Sequence, residues 1–176
     1  MFNNGVIEND TGDKICWNAK YYKDIKNNFE EMKKHYLMAI NKNYSDAMNN
    51  LGYYYHTIEK DYDEMKKYYL MSIEKDNSGA MFSLGSYYYI IEKNYDETKK
   101  YYLMSIEKGN SNAMCFLGLY YYDIEKNDDE MKKYYLMSIE KDNKKASNNL
   151  YVYYKDIEKN YDEMNKYFPF DVNMNS

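Results

Sequence analysis

Apolar residues fall at Ala47, Met48, Leu51, Tyr54, Tyr55 and Ile58, with polar residues between them. Steps of three and four place them on one stripe of a helix over about 46–58. A second stripe, Met65, Tyr68, Tyr69, Ser72 and Ile73, predicts another helix over about 62–75. The segment Ile58-Glu59-Lys60-Asp61 joins the two, and the polar Asp76-Asn77-Ser78 reads as the loop that follows. The pair then recurs. Ala47, Ala80, Ala113 and Ala146 are spaced by 33 residues, and Leu51, Leu84, Leu117 and Leu150 keep that step. The decapeptide KKYYLMSIEK stands letter for letter at 66–75, 99–108 and 132–141. A fixed period of this length marks stacked units, none of which can bury its apolar face alone. About five units result, starting near 14, 47, 80, 113 and 146 and ending at 170. Residues 1–13 form an N-terminal extension and 171–176 a C-terminal tail.

The helix starts are written into the pattern. Asn28, Asp61, Asn94, Asn127 and Asn160 each precede a Glu by three residues, at Glu31, Glu64, Glu97, Glu130 and Glu163. The short side chain can accept from a free backbone N–H, and the Glu can reach back to the cap. Inside each first helix sits a glycine: Gly52, Gly85 and Gly118. Glycine in a helix costs roughly 1 kcal/mol against alanine, so its repetition predicts a close approach by the partner helix. Ala19 holds this position in the first unit and Tyr151 in the last, as atypical terminal units would have it.

Ala47, Leu51-Gly52, Tyr55, Asp61, Met65, Tyr68-Tyr69 and Ser72-Ile73 resemble the Sel1-like repeat of the tetratricopeptide superfamily. In the next unit Ile106-Glu107-Lys108-Gly109-Asn110 and Ala113 resemble the ending of that repeat. The resemblance runs from Lys14 to about Phe168. The departures are a short inter-helix loop and Met65, Met131 and Met164 where the family prefers alanine. The resemblance implies an all-α fold, a right-handed superhelical solenoid of about five antiparallel helix pairs. It also implies a protein-interaction scaffold with no active site, which holds a peptide or protein partner in a groove. In style the chain resembles repeat proteins encoded by large DNA viruses of amoebae, which implies a host-interaction or defence setting.

Composition narrows the classes. With 44% hydrophobic and 30% charged residues the chain can build a core. All 24 basic residues are lysine and the net charge is −5, which disfavours nucleic acid as the main partner. No run of about 18 apolar residues would span a membrane, and the N-terminus lacks a signal-peptide pattern. The expected setting is intracellular, in the host cytoplasm for a viral protein, and Cys16 and Cys115 suit it as free thiols. They share one register position three units apart, on the order of 30 Å, too far for a disulfide. Part of the excess of 26 tyrosines reads as A/T-rich codon bias.

No catalytic, metal or cofactor set emerges. His35 falls where other units carry Tyr68, Tyr101 and Tyr134, and Asp128-Asp129-Glu130 is one copy of the helix-start segment. The superfamily's groove columns would hold Asn49, Phe82 and Cys115, then Tyr53, Ser86 and Leu119, then His56, Tyr89 and Tyr122. The last unit continues these columns with Asn148, Val152 and Lys155. These residues differ from unit to unit, as recognition of an outside partner requires. A competing surface is a repeated ridge of Leu70, Met71, Leu103, Met104, Leu136 and Met137. It serves either contacts between units or self-association into a homo-oligomer. An RNA-binding helical repeat is a third reading, which the acidic balance opposes.

Overall fold

The computed structural model describes residues 12–167. The tail, residues 168–170 of the last unit and most of the N-terminal extension lie outside them. Among the described residues there are ten α-helices and no strand. The helices are α1 (Gly12–Asp24), α2 (Phe29–Asn41), α3 (Ser45–Tyr54), α4 (Tyr62–Ile73) and α5 (Ser78–Tyr87). They continue as α6 (Tyr95–Glu107), α7 (Ser111–Tyr120), α8 (Asp128–Ile139), α9 (Lys144–Val152) and α10 (Tyr161–Lys166). None is long and apolar enough to cross a membrane.

Two compact units result, Met1–Leu84 and Gly85–Ser176. In the first, α1 packs on α2, α2 on α3 and α3 on α4; in the second, α6 through α10 pack each on the next. The stripe residues make the cores. Ile15, Met32, Tyr36, Ala47 and Leu51 are buried together in the first unit, and Met131, Tyr135, Ala146, Leu150 and Tyr154 in the second.

The caps form as the sequence predicts in one half only. Asn28, Asp61, Asn94, Asn127 and Asn160 each accept from the backbone N–H of the Glu three residues on, at 3.1–3.3 Å. The Glu side chains do not close a box. Each pairs with the lysine three residues further along, as Glu64 does with Lys67 at 2.9 Å. The cap N–H is already taken, since Asp61 donates to the Tyr55 carbonyl six residues back, and Asn94 and Asn127 to those of Tyr88 and Tyr121. At the other end of the unit the loop asparagine works in two directions. Asn77 accepts from Ala80 N–H at 2.9 Å and donates to Asp46 at 2.7 Å, tying the start of α5 to the start of α3. Buried Ser72 donates to the Ser45 carbonyl at 2.8 Å, and Ser138 repeats this on Ser111 at 2.7 Å.

The glycine expectation resolves into one contact. A Cβ on Gly52, Gly85 or Gly118 would lie 2.7–2.8 Å from a ring carbon of Tyr69, Tyr102 or Tyr135 in the second helix of the same unit. The glycine therefore makes room for a buried tyrosine ring, and at Gly118 for the Met131 carbonyl oxygen as well.

The first helices end differently from the predicted stripe. The last turn widens to a π-turn over Tyr55–Glu59, Tyr88–Glu92, Tyr121–Glu125 and Tyr153–Ile157. Its i→i+5 bonding turns each residue through less than the 100° of an α-helix. Ile58, expected on the buried stripe, is consequently exposed, and so are Ile91, Ile124 and Ile157. Lys60, Lys93 and Lys126 close the first three turns in the left-handed region, at φ 52–59°.

The π-turns carry a repeated polar lock. Its glutamate accepts from a tyrosine five residues back and from a lysine of the preceding unit's second helix. Tyr120 and Lys99 both bond Glu125 at 2.8 Å, Tyr54 and Lys33 bond Glu59 at 2.6 and 3.2 Å, and Tyr153 and Lys132 bond Glu158. The lysine also lies over tyrosine rings, as Lys99 does over Tyr120 and Tyr121 at 5.7 and 5.5 Å. In the copies at 99–108 and 132–141 this gives the two opening lysines separate tasks: Lys99 and Lys132 lock successive repeats, and Lys100 and Lys133 pair along their own helices. The first tyrosine of each of the first three turns stacks on the second helix, Tyr55 on Tyr68 at 5.6 Å and 2°, Tyr88 on Tyr101 at 5.7 Å and 7°, Tyr121 on Tyr134 at 5.5 Å and 5°.

The lock makes a pH prediction. Hydrogen bonds from Tyr54 and then Lys33 hold the Glu59 carboxyl below its usual value; Lys99 and Tyr120 do so for Glu125, and Lys132 and Tyr153 for Glu158. A carboxylate whose folded pKa is depressed stabilises the fold above its unfolded value and loses that contribution as pH falls through the folded one. The midpoint of thermal unfolding should hold steady from pH 7 to about 5 and fall below about pH 4. Glu125→Gln should flatten that fall in a melting series followed by circular dichroism. An identical acid limb in the variant would rule the lock out as its cause.

Candidate functional site

The residues expected on the groove columns separate into three sets. Cys115 is only 1% exposed and sits in the core, where the Asn149 amide donates to its sulfur at 3.8 Å. It offers no surface to a partner. Ser86 is half-buried with its hydroxyl 3.1 Å from that of Tyr102, and Tyr89 donates to Asp123 at 3.1 Å. Burial and then the Asp123 charge push the Tyr89 phenol up to about 12. Asn49, His56 and Phe82 are half-buried and Tyr53 is exposed, with Lys23 over its ring at 5.4 Å. Burial, and next the charge of Lys60, hold His56 below the usual imidazole value.

Leu119 and Tyr122 form the third set. In the second unit they line one wall of a cavity of about 310 Å³ between α7 and α9. Val152 and Ile157 supply the opposite apolar wall, both exposed. Tyr135 and Tyr153 close the inner side; Tyr122 meets Tyr153 edge to face, at 6.1 Å and 90°. Asn149 and Asp156 bring the polar groups, and Asn149 also bonds the Tyr135 hydroxyl. The tyrosine hydroxyl, an amide and one carboxylate on an otherwise apolar wall describe a small binding cavity, at the lower end of the size of ligand pockets.

Sequence reasoning finds Leu119, Tyr122 and Val152 from the columns and misses Asn149, Asp156 and Ile157. The α-helical register places Asn148 in line with Cys115, but Asn148 is exposed and Asn149 lines the cavity. Asp156 and Ile157 reach it because the π-turn rotates the end of the helix. The ridge residues Leu70, Leu103 and Leu136 are exposed at 40–43%, while Met71, Met104 and Met137 are half-buried.

No protein-family model and no curated protein sequence matches the chain. Solved structures do. A Sel1 repeat protein from Oxalobacter formigenes superposes with a TM-score of 0.73 at 21% identity, over 89% of this chain and 71% of that one. The fold is a Sel1-like repeat fold. A protective antigen of uropathogenic Escherichia coli, c5321, which displays the same fold, gives 0.72 at 20% identity over 89% and 37% of the two chains. The immunity protein Pa5087 from Pseudomonas aeruginosa gives 0.69 at 21%, over 89% and 63%. This chain thus spans well under two thirds of c5321 and just under two thirds of Pa5087. Within the Sel1-like fold its cavity is built by two successive first helices, α7 and α9, with the second-helix ring of Tyr135 behind them.

Proposed function

We propose that the protein is a non-catalytic interaction scaffold whose α7–α9 cavity seats an apolar side chain of a peptide or protein partner. The observation that carries this reading is the cavity itself: exposed Val152 and Ile157 face Leu119 and two tyrosine rings across about 310 Å³. Apolar surface that a folded chain leaves open and walled marks a contact site, and aromatic anchors dominate such contacts. Unit-to-unit variation supports it, since Tyr53, Ser86, Leu119 and Val152 put aromatic, hydroxyl and aliphatic side chains at one register position. The intracellular setting, host cytoplasm for a viral protein, belongs to the same proposal.

Affinity capture from native cells, with the bound proteins identified by mass spectrometry, tests it. Val152→Asp with Leu119→Asp is expected to weaken capture of the partner by about 30-fold or more, the loss of a central anchor, with helix content unchanged. Leu103→Asp with Leu136→Asp should retain it. The reverse pattern moves the site to the ridge. The exposed leucines of that ridge favour self-association as the second reading, and concentration-dependent mass in light scattering, abolished by the ridge variants, is its signature.

A further inference from the structure

The first unit holds a second cavity, of about 330 Å³, between α1 and α3. It shares two register positions with the cavity between α7 and α9, Lys20 with Leu119 and Asn50 with Asn149, while Asp13, Tyr44 and Asp46 place it toward the helix starts. Its chemistry is different. Asp13 and Asp46 bring two carboxylates and Lys20 one ammonium, so the wall carries one net negative charge. Asp46 accepts from the Asn77 amide at 2.7 Å, a neutral donor that orients the carboxylate without cancelling its charge. Trp17 is 64% exposed on the cavity wall. Its ring stacks on Tyr21 at 5.9 Å and 15°, which fixes its plane, and Tyr44 adds another ring to the wall. Cys16 shares this wall. Burial first, then the charges of Asp46 and Asp13, raise its thiol above the usual cysteine value, against the opposing pull of Lys20.

We propose that this cavity binds a guanidinium group, the side chain of an arginine presented by another molecule. A guanidinium is planar, weakly hydrated and always charged, so it can lie on an indole face while its N–H fork meets a carboxylate. An ammonium has neither the plane nor the fork, and leaves its tighter hydration shell less readily. The charge balance asks for one cation. The chain itself supplies a reason for the preference: its 24 basic residues are all lysine. A site that prefers guanidinium passes over the lysine-covered surface of every other copy and responds only to an outside ligand. The inference stands on α1 and α3 alone and does not rest on the α7–α9 reading.

Trp17 is the chain's one tryptophan, so its fluorescence reports this site and no other. The full chain is titrated with N-acetyl-arginine methylamide and, in parallel, N-acetyl-lysine methylamide at low salt. The arginine probe should give a saturable change with an affinity about fivefold or more above that of the lysine probe, the worth of one added ring contact. Asp13→Asn should weaken the arginine probe about tenfold, as loss of a charged hydrogen-bond acceptor does. Lys20→Gln removes the opposing charge and should strengthen binding, an outcome no misfolded variant could produce. Leu119→Asp should leave the titration unchanged, which separates this site from the cavity between α7 and α9. Equal response to the two probes, indifference to Asp13→Asn, or no gain in Lys20→Gln overturns the proposal.

Discussion

Replacing Gly118 with leucine is expected to destabilise the second unit by about 3 kcal/mol or more, the upper end of what overpacking does. The informative variant is alanine. In an open helix Gly→Ala stabilises by about 1 kcal/mol, because alanine is the best helix former and glycine among the worst. At Gly118 the sign should reverse. A Cβ there would sit 2.8 and 2.9 Å from two ring carbons of Tyr135 and 3.2 Å from the Met131 carbonyl oxygen. The backbone oxygen cannot move without breaking α8. The ring is buried in one cluster with Met131, Leu150 and Tyr154, and can shift only toward the cavity it borders. The urea midpoint of each variant measures the effect. A stabilising Gly118→Ala would mean that the ring has slack and that the glycine is there for another reason. The same reversal is expected at Gly52 and Gly85, whose added Cβ atoms meet Tyr69 and Tyr102 at 2.7 and 2.8 Å.

These glycines show what a sequence of this kind discloses. Their period was readable, and so was the idea that something comes close; which atom comes close was not. A repeat announces that a position is constrained, while the constraint depends on the side chain opposite, 17 residues away in each unit. The caps behaved the same way. Asn94 and its counterparts were legible as helix starts because a short acceptor before a charged turn has one job. The reciprocal glutamate contact failed because the carbonyl of a π-turn tyrosine had already taken the cap N–H. The π-turn itself left no mark in the hydrophobic pattern. Ile58 kept α-helical spacing from Leu51 and Tyr54, and only the wider turn sends it outward. That turn also decides the candidate site, since Asp156 and Ile157 line the cavity from its far end. The tyrosine excess looked like codon bias in part. In the structure most tyrosines of a unit have separate tasks: Tyr120 locks Glu125, Tyr121 stacks on Tyr134, Tyr135 fills the space over Gly118, and Tyr122 faces the cavity.

The second large effect joins the core to the cavity. Tyr135→Ala is expected to cost about 3–5 kcal/mol, the range for emptying a buried aromatic site. Tyr135→Phe keeps the ring and loses only the hydroxyl, which Asn149 bonds at the cavity wall. It should cost about 1 kcal/mol, the worth of one hydrogen bond. The stronger statement concerns the pair. Gly118→Leu harms the fold by colliding with the ring, and Tyr135→Ala harms it by leaving a void in the same place. Made together, the leucine enters the space the ring has left, so the two losses should not add. The double variant should be more stable than the sum of the single effects by about 1–3 kcal/mol, the size of coupling between residues in contact. A double-mutant cycle from urea midpoints gives the number directly. Strict additivity would mean that the two residues do not share one volume, and the account of why each unit repeats a glycine and a tyrosine would have to be given up.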